Sequence, residues 1–133
     1  MSQLKLSIVT PSKHVLDTTC VDVYLPTAKG QEGILPEHAG LVAVLGTGVV
    51  VIDQGDQKKH LALRDGFFEV RENNVMIFAD QALFPDQIQK NELDRELEDL
   101  ETKLLSEEIS IEDREHLFAQ REWLDAQKQA LSS

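Results

Sequence analysis

The glycines and prolines of this chain stop abruptly two thirds of the way along it. All seven glycines and all four prolines lie before residue 86, and the last 48 residues contain neither. Tight turns between strands need these residues, whereas helix interiors exclude them. The sequence therefore predicts an α+β fold with segregated domains, in which residues 1–85 form a β-sandwich domain and residues 86–133 a helical one.

The first part carries the alternation that half-buried strands require. Residues 4–10 (LKLSIVT) alternate apolar and polar side chains, and residues 20–26 (CVDVYLP) do the same with Val21, Val23 and Leu25 on one face. This period of two predicts strands with one face in a core. Several short strands separated by turn residues favour a sandwich or a flattened barrel.

The patterns of two longer segments predict β-hairpins. Residues 48–65 place the turn sequence QGDQ between β-branched residues and an alternating return strand. Residues 67–80 place RENN between Val70 and Val75, and we expect Asn73 and Asn74 to adopt the positive φ of that turn.

The second part predicts two helices. In the first, Leu93, Leu97, Leu100 and Leu104 step by 4, 3 and 4 residues along one face. Asn91, with Asp94 three residues later, is the expected N-cap of this helix.

A break is expected in residues 104–113 (LLSEEISIED), with Ser110 and Asp113 capping a second helix. That helix carries two apolar stripes. The first stripe repeats every seven residues, and the second lies opposite it; they consist of Leu117, Leu124 and Leu131, and of Ala119, Trp123, Ala126 and Ala130. One stripe should pack on the first helix in an antiparallel two-helix hairpin, and the other on the β domain or on another subunit.

Charge and composition exclude several classes of function. Thirteen basic and 24 acidic residues give a formal charge of −11, which argues against binding to nucleic acid or to an anionic lipid surface. No apolar run approaches the length of a spanning helix, and the first residues do not resemble a signal peptide. We therefore expect a soluble or peripheral protein in a reducing compartment, since the only cysteine is Cys20.

No pattern in the sequence predicts catalysis, a metal or a cofactor. His38 stands alone in an apolar, proline-containing run, and the four histidines lack the close spacing of metal ligands. We expect His38 to be a surface or packing residue, and Cys20 to be a small core residue rather than a nucleophile. An adaptor or regulatory subunit is favoured, while a β-sandwich enzyme or ligand-binding module remains the alternative.

Three segments resemble a known family: residues 6–17 (LSIVTPSKHVLD), residues 30–50 (GQEGILPEHAGLVAVLGTGVV) and residues 63–80 (LRDGFFEVRENNVMIFAD). They resemble the ε subunit of bacterial-type F-type ATP synthases, the equivalent of mitochondrial δ. The resemblance covers essentially the whole chain, including the order of sandwich and hairpin. It also disfavours a stand-alone interaction or ligand-binding module.

The resemblance implies a non-catalytic rotor subunit of the central stalk of a proton- or sodium-translocating synthase. Its sandwich would clamp the γ subunit and sit on the ring of c subunits, whose polar loops would face Gln31, Glu32, Pro36 and His38. Its helical hairpin would rest on the sandwich or extend into the α/β catalytic head and inhibit ATP hydrolysis. The implied location is peripheral, on the cytoplasmic face of a bacterial plasma membrane or the stromal side of a thylakoid.

The hairpin departs from the family pattern in ways that bear on regulation. ATP-binding relatives begin the first helix with Ile or Leu, Asp, two variable residues, Arg and Ala. Here Leu93 and Asp94 remain, but Leu97 and Glu98 replace Arg and Ala. Residues 86–133 carry 14 acidic and 6 basic side chains, a net charge of −8. We therefore expect weak or no ATP binding, and little inhibition by contact with an acidic region of the catalytic β subunit.

Overall fold

In the part of the chain that the structure describes, eight strands are followed by two helices, as the distribution of glycine and proline predicts. The computed structural model describes residues 2–106 and 108–133. The strands are β1 (Leu4–Thr10), β2 (Lys13–Cys20), β3 (Asp22–Thr27), β4 (Gly30–Ile34), β5 (Leu41–Leu45), β6 (Gly48–Asp53), β7 (Lys58–Arg71) and β8 (Asn74–Leu83). A 3-10 turn (Pro85–Gln87) leads to α1 (Lys90–Leu104) and α2 (Ile111–Leu131).

The strands form a sheet that folds over into two layers. The hydrogen-bonded order is β2-β1-β8-β7-β6-β3-β4, with β5 paired to the second half of β7. All pairs are antiparallel except β1 with β8, which is parallel. Because β7 pairs with β6 through residues 58–63 and with β5 through residues 66–70, this one strand belongs to both layers. The predicted β-sandwich is confirmed.

The core between the layers is built by the alternation seen in the sequence. Leu4, Leu6 and Ile8 of β1 are buried, as are Val23 and Leu25 of β3. Phe68 is the largest side chain fully enclosed among them. Val21 does not continue this pattern and is exposed, because the chain crosses there from β2, paired with β1, to β3, paired with β4 and β6.

The turn between β7 and β8 differs by one residue from the prediction. Arg71 pairs with Asn74, which leaves Glu72 and Asn73 as the two turn residues, with φ values of 48° and 64°. The positive φ therefore falls on Glu72 and Asn73 rather than on Asn73 and Asn74. Strand register, fixed by burial of Val70 and Val75, decides the position of the turn.

The first helix begins earlier than its capping pattern indicates. Its N-cap is Gln89 rather than Asn91, and Leu93 N–H already donates to the Gln89 carbonyl oxygen at 2.9 Å. Burial of Ile88 beside the helices holds the chain at this point, so tertiary packing overrides the local capping signal. The second cap is confirmed, since Asp113 N–H donates to Ser110 Oγ at 3.1 Å. The break between the helices includes Glu107, which lies outside the described residues.

The second helix packs on two partners, as its two stripes predict. Trp123, Ala126 and Ala130 are buried in a cluster that also contains Val49 of β6 and Ala62 of β7. Leu124 is buried in the same cluster with leucines of α1, so the hairpin rests on the outer face of the sandwich. Ala119 was expected in the second stripe but is exposed and does not belong to this buried cluster.

Replacing Ala126 with Glu should separate the hairpin from the sandwich. Ala126 is 3% exposed, and a buried unpaired carboxylate costs several kcal/mol. Trp123, the only tryptophan, is 6% exposed and lies in the same contact, so its fluorescence should shift to the red while β-sheet circular dichroism persists. Ala119→Glu makes the same change at an exposed position of the same helix, and we expect it to leave the Trp123 emission unchanged. Equal spectra for the two variants would contradict this packing.

Candidate partner-binding surfaces

The loop between β4 and β5 contains the residues implied as the ring contact. Gln31 and Glu32 lie on β4, where Gln31 is exposed and Glu32 half-buried. Pro36 and Glu37 form a turn closed by a hydrogen bond from His38 N–H to the Leu35 carbonyl oxygen at 3.1 Å. Gln31 and Glu32 therefore precede the loop, and Pro36 and His38 belong to it.

His38 is a half-exposed side chain with two polar neighbours. Its Nδ1 lies 2.7 Å from the Ala39 carbonyl oxygen, and its Nε2 lies 3.9 Å from Glu32 Oε1. The backbone before His38 is not extended, because Glu37 has a positive φ of 69°. Within the described residues, no group of three or more His, Cys, Asp or Glu side chains is placed to hold a metal ion.

A second surface, which the sequence reasoning missed, is the outer face of the layer containing β5. Val42 and Val44 of β5 are 69% and 70% exposed, and Phe67 of β7 is 46% exposed. Val44 pairs across the strands with Phe67, and Phe67 with Phe78, whose ring stacks on that of Phe67 with centroids 4.7 Å apart. An exposed apolar face of this kind is typical of a protein contact.

The sequence signal for this apolar face was present in β5. Residues 41–45 (LVAVL) are apolar at every position, and not only at the alternate positions that face the core. A strand that is apolar on both faces is expected to be covered on both. Leu41, Ala43 and Leu45 pack on the core, and Val42 and Val44 lie exposed on the opposite side of the strand.

A polar cluster borders the apolar face on β1 and β2. Ser7 donates a hydrogen bond to Asp17 Oδ1, and His14 Nε2 lies 2.7 Å from Asp17 Oδ2. The Ser7 hydrogen bond, followed by the contact with His14, holds the pKa of Asp17 below its usual value. The residue types are those of a hydrolase triad, but here the carboxylate stands between hydroxyl and imidazole. Ser7 therefore donates its hydroxyl proton to Asp17 and not to His14. The imidazole does not contact the serine oxygen, so this arrangement does not activate Ser7 as a nucleophile.

The buried cysteine has the character of a core residue. Cys20 is 1% exposed, and burial, together with the charges of Asp22 and Asp53, raises its pKa to about 11. A thiol with so high a pKa holds little thiolate at neutral pH, and the thiolate is the nucleophilic form. Its expected role as a small core residue agrees with this environment.

Asp22 should destabilise the fold at neutral pH. Desolvation and the nearby Asp53 raise its pKa above the ordinary 3.8, and among the described residues its Oδ1 is a buried oxygen without a hydrogen-bond partner. A raised carboxyl pKa favours the protonated form, so the penalty exists at pH 7 and disappears as the pH falls through the folded-state pKa. Asp22→Asn should raise the free energy of unfolding by about 0.5–1 kcal/mol at pH 7 and leave it unchanged near pH 3. Urea denaturation at both pH values tests this, with exposed Asp56→Asn as the control; a pH-independent gain would contradict it.

Two arginines of α2 make contacts within the helical hairpin. Arg114 donates from Nη1 to the Leu104 carbonyl oxygen at 3.1 Å and from Nη2 to that of Ser106 at 3.4 Å, which ties the start of α2 to the end of α1. Arg121 lies 2.9 Å from Glu101 across the two helices. Both guanidinium groups are therefore engaged by the hairpin itself.

The remnant of the ATP motif is divided between core and surface. Leu93 of α1 is 3% exposed in the cluster between the helices and the sandwich, whereas the neighbouring Asp94 is exposed. A cleft of about 520 Å³ between α1 and α2 is lined by Glu96 and Asp99, with Lys103 as its one lysine or arginine side chain among the described residues.

A family model matches the strand-rich part of this fold. The model describes the β-sandwich domain of the ATP synthase delta/epsilon chain, and it matches residues 3–85. The chain belongs to the ATP synthase delta/epsilon family. Within the described residues, no helix is long and apolar enough to cross a membrane.

Curated relatives extend the delta/epsilon match into the helices. The ATP synthase epsilon chain of a Leptospira interrogans strain is 32% identical over 90% of each chain. That of a Helicobacter pylori strain is 36% identical over 83% of this chain and 87% of the relative, and that of Solibacter usitatus is 31% identical over 87% of each. Similarity over most of a known subunit disfavours the alternative of an unrelated stand-alone module.

Two solved structures share the fold. A chain in a cryo-EM structure of the Euglena gracilis mitochondrial ATP synthase (OSCP/F1/c-ring) superposes with a TM-score of 0.85 at 21% identity, over 97% of this chain and 81% of that one. A chain of the Tetrahymena thermophila central stalk and c-ring superposes with a TM-score of 0.65 at 13% identity, over 98% and 97%. At these identities the likeness establishes the arrangement of sandwich and helices only.

Proposed function

We propose that this chain is a non-catalytic rotor subunit in the central stalk of an F-type ATP synthase, where it couples the γ subunit to the c-ring. The observation that carries the proposal is the exposed apolar face formed by Val42, Val44, Phe67 and Phe78, on a sandwich of the delta/epsilon family. A coupling subunit must bind the γ subunit through a tight contact that excludes water. Exposed aliphatic and aromatic side chains can form such a contact. The γ subunit is the partner proposed for this face.

The β4–β5 loop is proposed as the contact with the polar loops of the c-ring. Pro36 fixes one backbone dihedral of the loop, and His38 and Glu32 present polar atoms close together. Gln31 is exposed on the strand leading into the loop. A stiff loop with polar side chains suits a firm contact with the polar loops of the c-ring, which must rotate together with this subunit.

The hairpin is proposed to support the sandwich rather than to sense ATP. Arg114 and Arg121 are engaged within the hairpin itself. The cleft between the helices presents the two carboxylates of Glu96 and Asp99 against one lysine, Lys103, so a triphosphate would meet net repulsion. Isothermal titration of ATP into the full chain should therefore give no heat of binding at micromolar concentrations. A dissociation constant in the micromolar range would overturn this assignment.

The same charge argument limits contact with the α/β catalytic head. Residues 86–133 carry a net charge of −8, and an acidic region of the catalytic β subunit would repel them. We propose that residues 1–85 act as the coupling domain and residues 86–133 as a hairpin that inhibits hydrolysis little. The complex would lie on the cytoplasmic face of a bacterial plasma membrane or the stromal side of a thylakoid, with this subunit peripheral to the lipid.

Restoration of coupling tests the proposal. Membranes carrying the cognate synthase without this subunit should hydrolyse ATP but pump ions weakly. Adding the full chain should restore ATP-driven pumping several-fold. Pumping that recovers without the added chain would contradict a role as the coupling subunit. So would pumping that stays weak although the chain has bound to the membranes.

A further inference from the structure

One side chain of the β7–β8 turn reaches the β4–β5 loop. Asn73 Oδ1 accepts a hydrogen bond from Glu37 N–H at 2.7 Å, and Asn73 Nδ2 donates to Glu37 Oε1 at 3.2 Å. The Asn73 carbonyl oxygen in turn accepts from Lys5 N–H of β1 at 2.8 Å. The loop is thus tied, through Asn73, to three strands of the sandwich.

The backbone of the loop needs such a tie. His38 N–H closes the turn on the Leu35 carbonyl oxygen, with Pro36 and Glu37 as the central residues. Pro36 favours the first central position, but the second, with a positive φ, favours Gly or Asn. Glu37 holds that position with a φ of 69°, a conformation uncommon for a glutamate and one that persists only where the surroundings stabilise it.

Asn73 supplies this stabilisation at little strain of its own. Its φ of 64° is one that asparagine tolerates well, and its amide satisfies both the backbone N–H and the carboxylate of Glu37. Paired donor and acceptor contacts fix both position and orientation, as a single hydrogen bond does not.

We propose that Asn73 is a positioning residue, which holds the β4–β5 loop in the one conformation that presents Pro36 and His38 to the c-ring. The inference rests on the proposed function, because it assumes that this loop meets the ring. The β7–β8 turn is then part of the coupling device although it need not touch the ring. A loop free to change shape would absorb part of the torque that a fixed loop transmits.

Amide hydrogen exchange of the isolated full chain tests the tie without reference to any partner. Asn73→Gly removes the amide but retains the positive φ of the β7–β8 turn. We expect exchange at the Glu37 amide to become about 5- to 100-fold faster, the range that the loss of two ordinary hydrogen bonds produces. Unchanged exchange at Glu37 would overturn the proposal.

An exchanged pair provides the matched control. Asn73→Asp alone places a second carboxylate beside Glu37 and should loosen the loop. The double variant Asn73→Asp/Glu37→Gln reverses donor and acceptor between the two side chains and should restore slow exchange. Failure of the double variant to recover, with the β-sheet circular dichroism intact, would overturn the assigned contact.

The ratio of ions pumped to ATP hydrolysed, measured in the assembled synthase, distinguishes a role of Asn73 in positioning the loop from a role in stabilising the chain. Asn73→Gly should lower this ratio several-fold with hydrolysis unchanged, and the double variant should restore it. Leu35→Asp alters the exposed apolar side chain of the same loop directly. If Leu35→Asp lowers the ratio and Asn73→Gly does not, the positioning role is wrong while the proposed function stands. If neither lowers it, the ring-facing role of the loop fails, and the inference with it.

Discussion

Gly66→Ala should remove most of the stability of the fold. Gly66 has a φ of 126°, and a Cβ at this position would lie 1.9 Å from the Phe78 carbonyl oxygen. Gly66 is also the residue at which β7 passes from its pairing with β6 to its pairing with β5, so the neighbouring backbone cannot shift without opening the sandwich. We expect a loss of more than about 4 kcal/mol in the free energy of unfolding, comparable with the total stability of a small domain.

Gly30→Ala is the control that separates backbone strain from collision. Gly30 has a φ of 107°, but a Cβ there would meet no atom within 4 Å. Its cost should be the dihedral strain alone, about 1–2 kcal/mol, and the variant should still fold. Urea denaturation followed by circular dichroism compares the two. Similar losses for both variants would show that the approach of Phe78 to Gly66 has little effect on stability.

Val44→Lys should abolish association with the γ subunit while leaving the fold intact. Val44 is 70% exposed on β5, so lysine can extend into solvent in the free chain. In the complex its ammonium group would be buried against apolar side chains beside Phe67, which costs several kcal/mol. We expect the dissociation constant for γ to rise at least about 100-fold, measured by titration calorimetry.

Leu105→Lys is the matched control for the apolar face. Leu105 is 81% exposed at the end of α1, away from the β5 surface. The same change in side-chain chemistry there should leave γ binding unaltered. Equal losses for the two variants would indicate a general effect of charge, and binding by Val44→Lys at the original affinity would exclude this face as the γ contact.

The sequence predicted the arrangement of elements because their signals are local. Period-two alternation marks β1, and leucine spacing marks both helices. The boundaries were less accurate where tertiary packing outweighs local preference. Burial of Ile88 moved the N-cap of α1 from Asn91 to Gln89, and strand register moved the β7–β8 turn onto Glu72 and Asn73.

The candidate surfaces depended on pairings that a single sequence does not display. The apolar face requires Val44, Phe67 and Phe78 to lie side by side, and they come from three strands whose order is fixed only by the folded sheet. The contact between Glu37 and Asn73 joins residues 36 positions apart. Resemblance identified the β4–β5 loop through its motif, but the motif contains no information about what holds the loop in place.

The central claim is that the apolar face around β5 binds the γ subunit. Maleimide labelling of a Val44→Cys variant tests it most directly. The native Cys20 is buried with a pKa of about 11, so the introduced thiol should be the one that reacts at neutral pH. We predict rapid labelling of the free chain and labelling at least about 100-fold slower in the complex with γ, whereas Leu105→Cys should react equally in both. Equal labelling of Val44→Cys in the free chain and in a verified complex with γ would contradict the account.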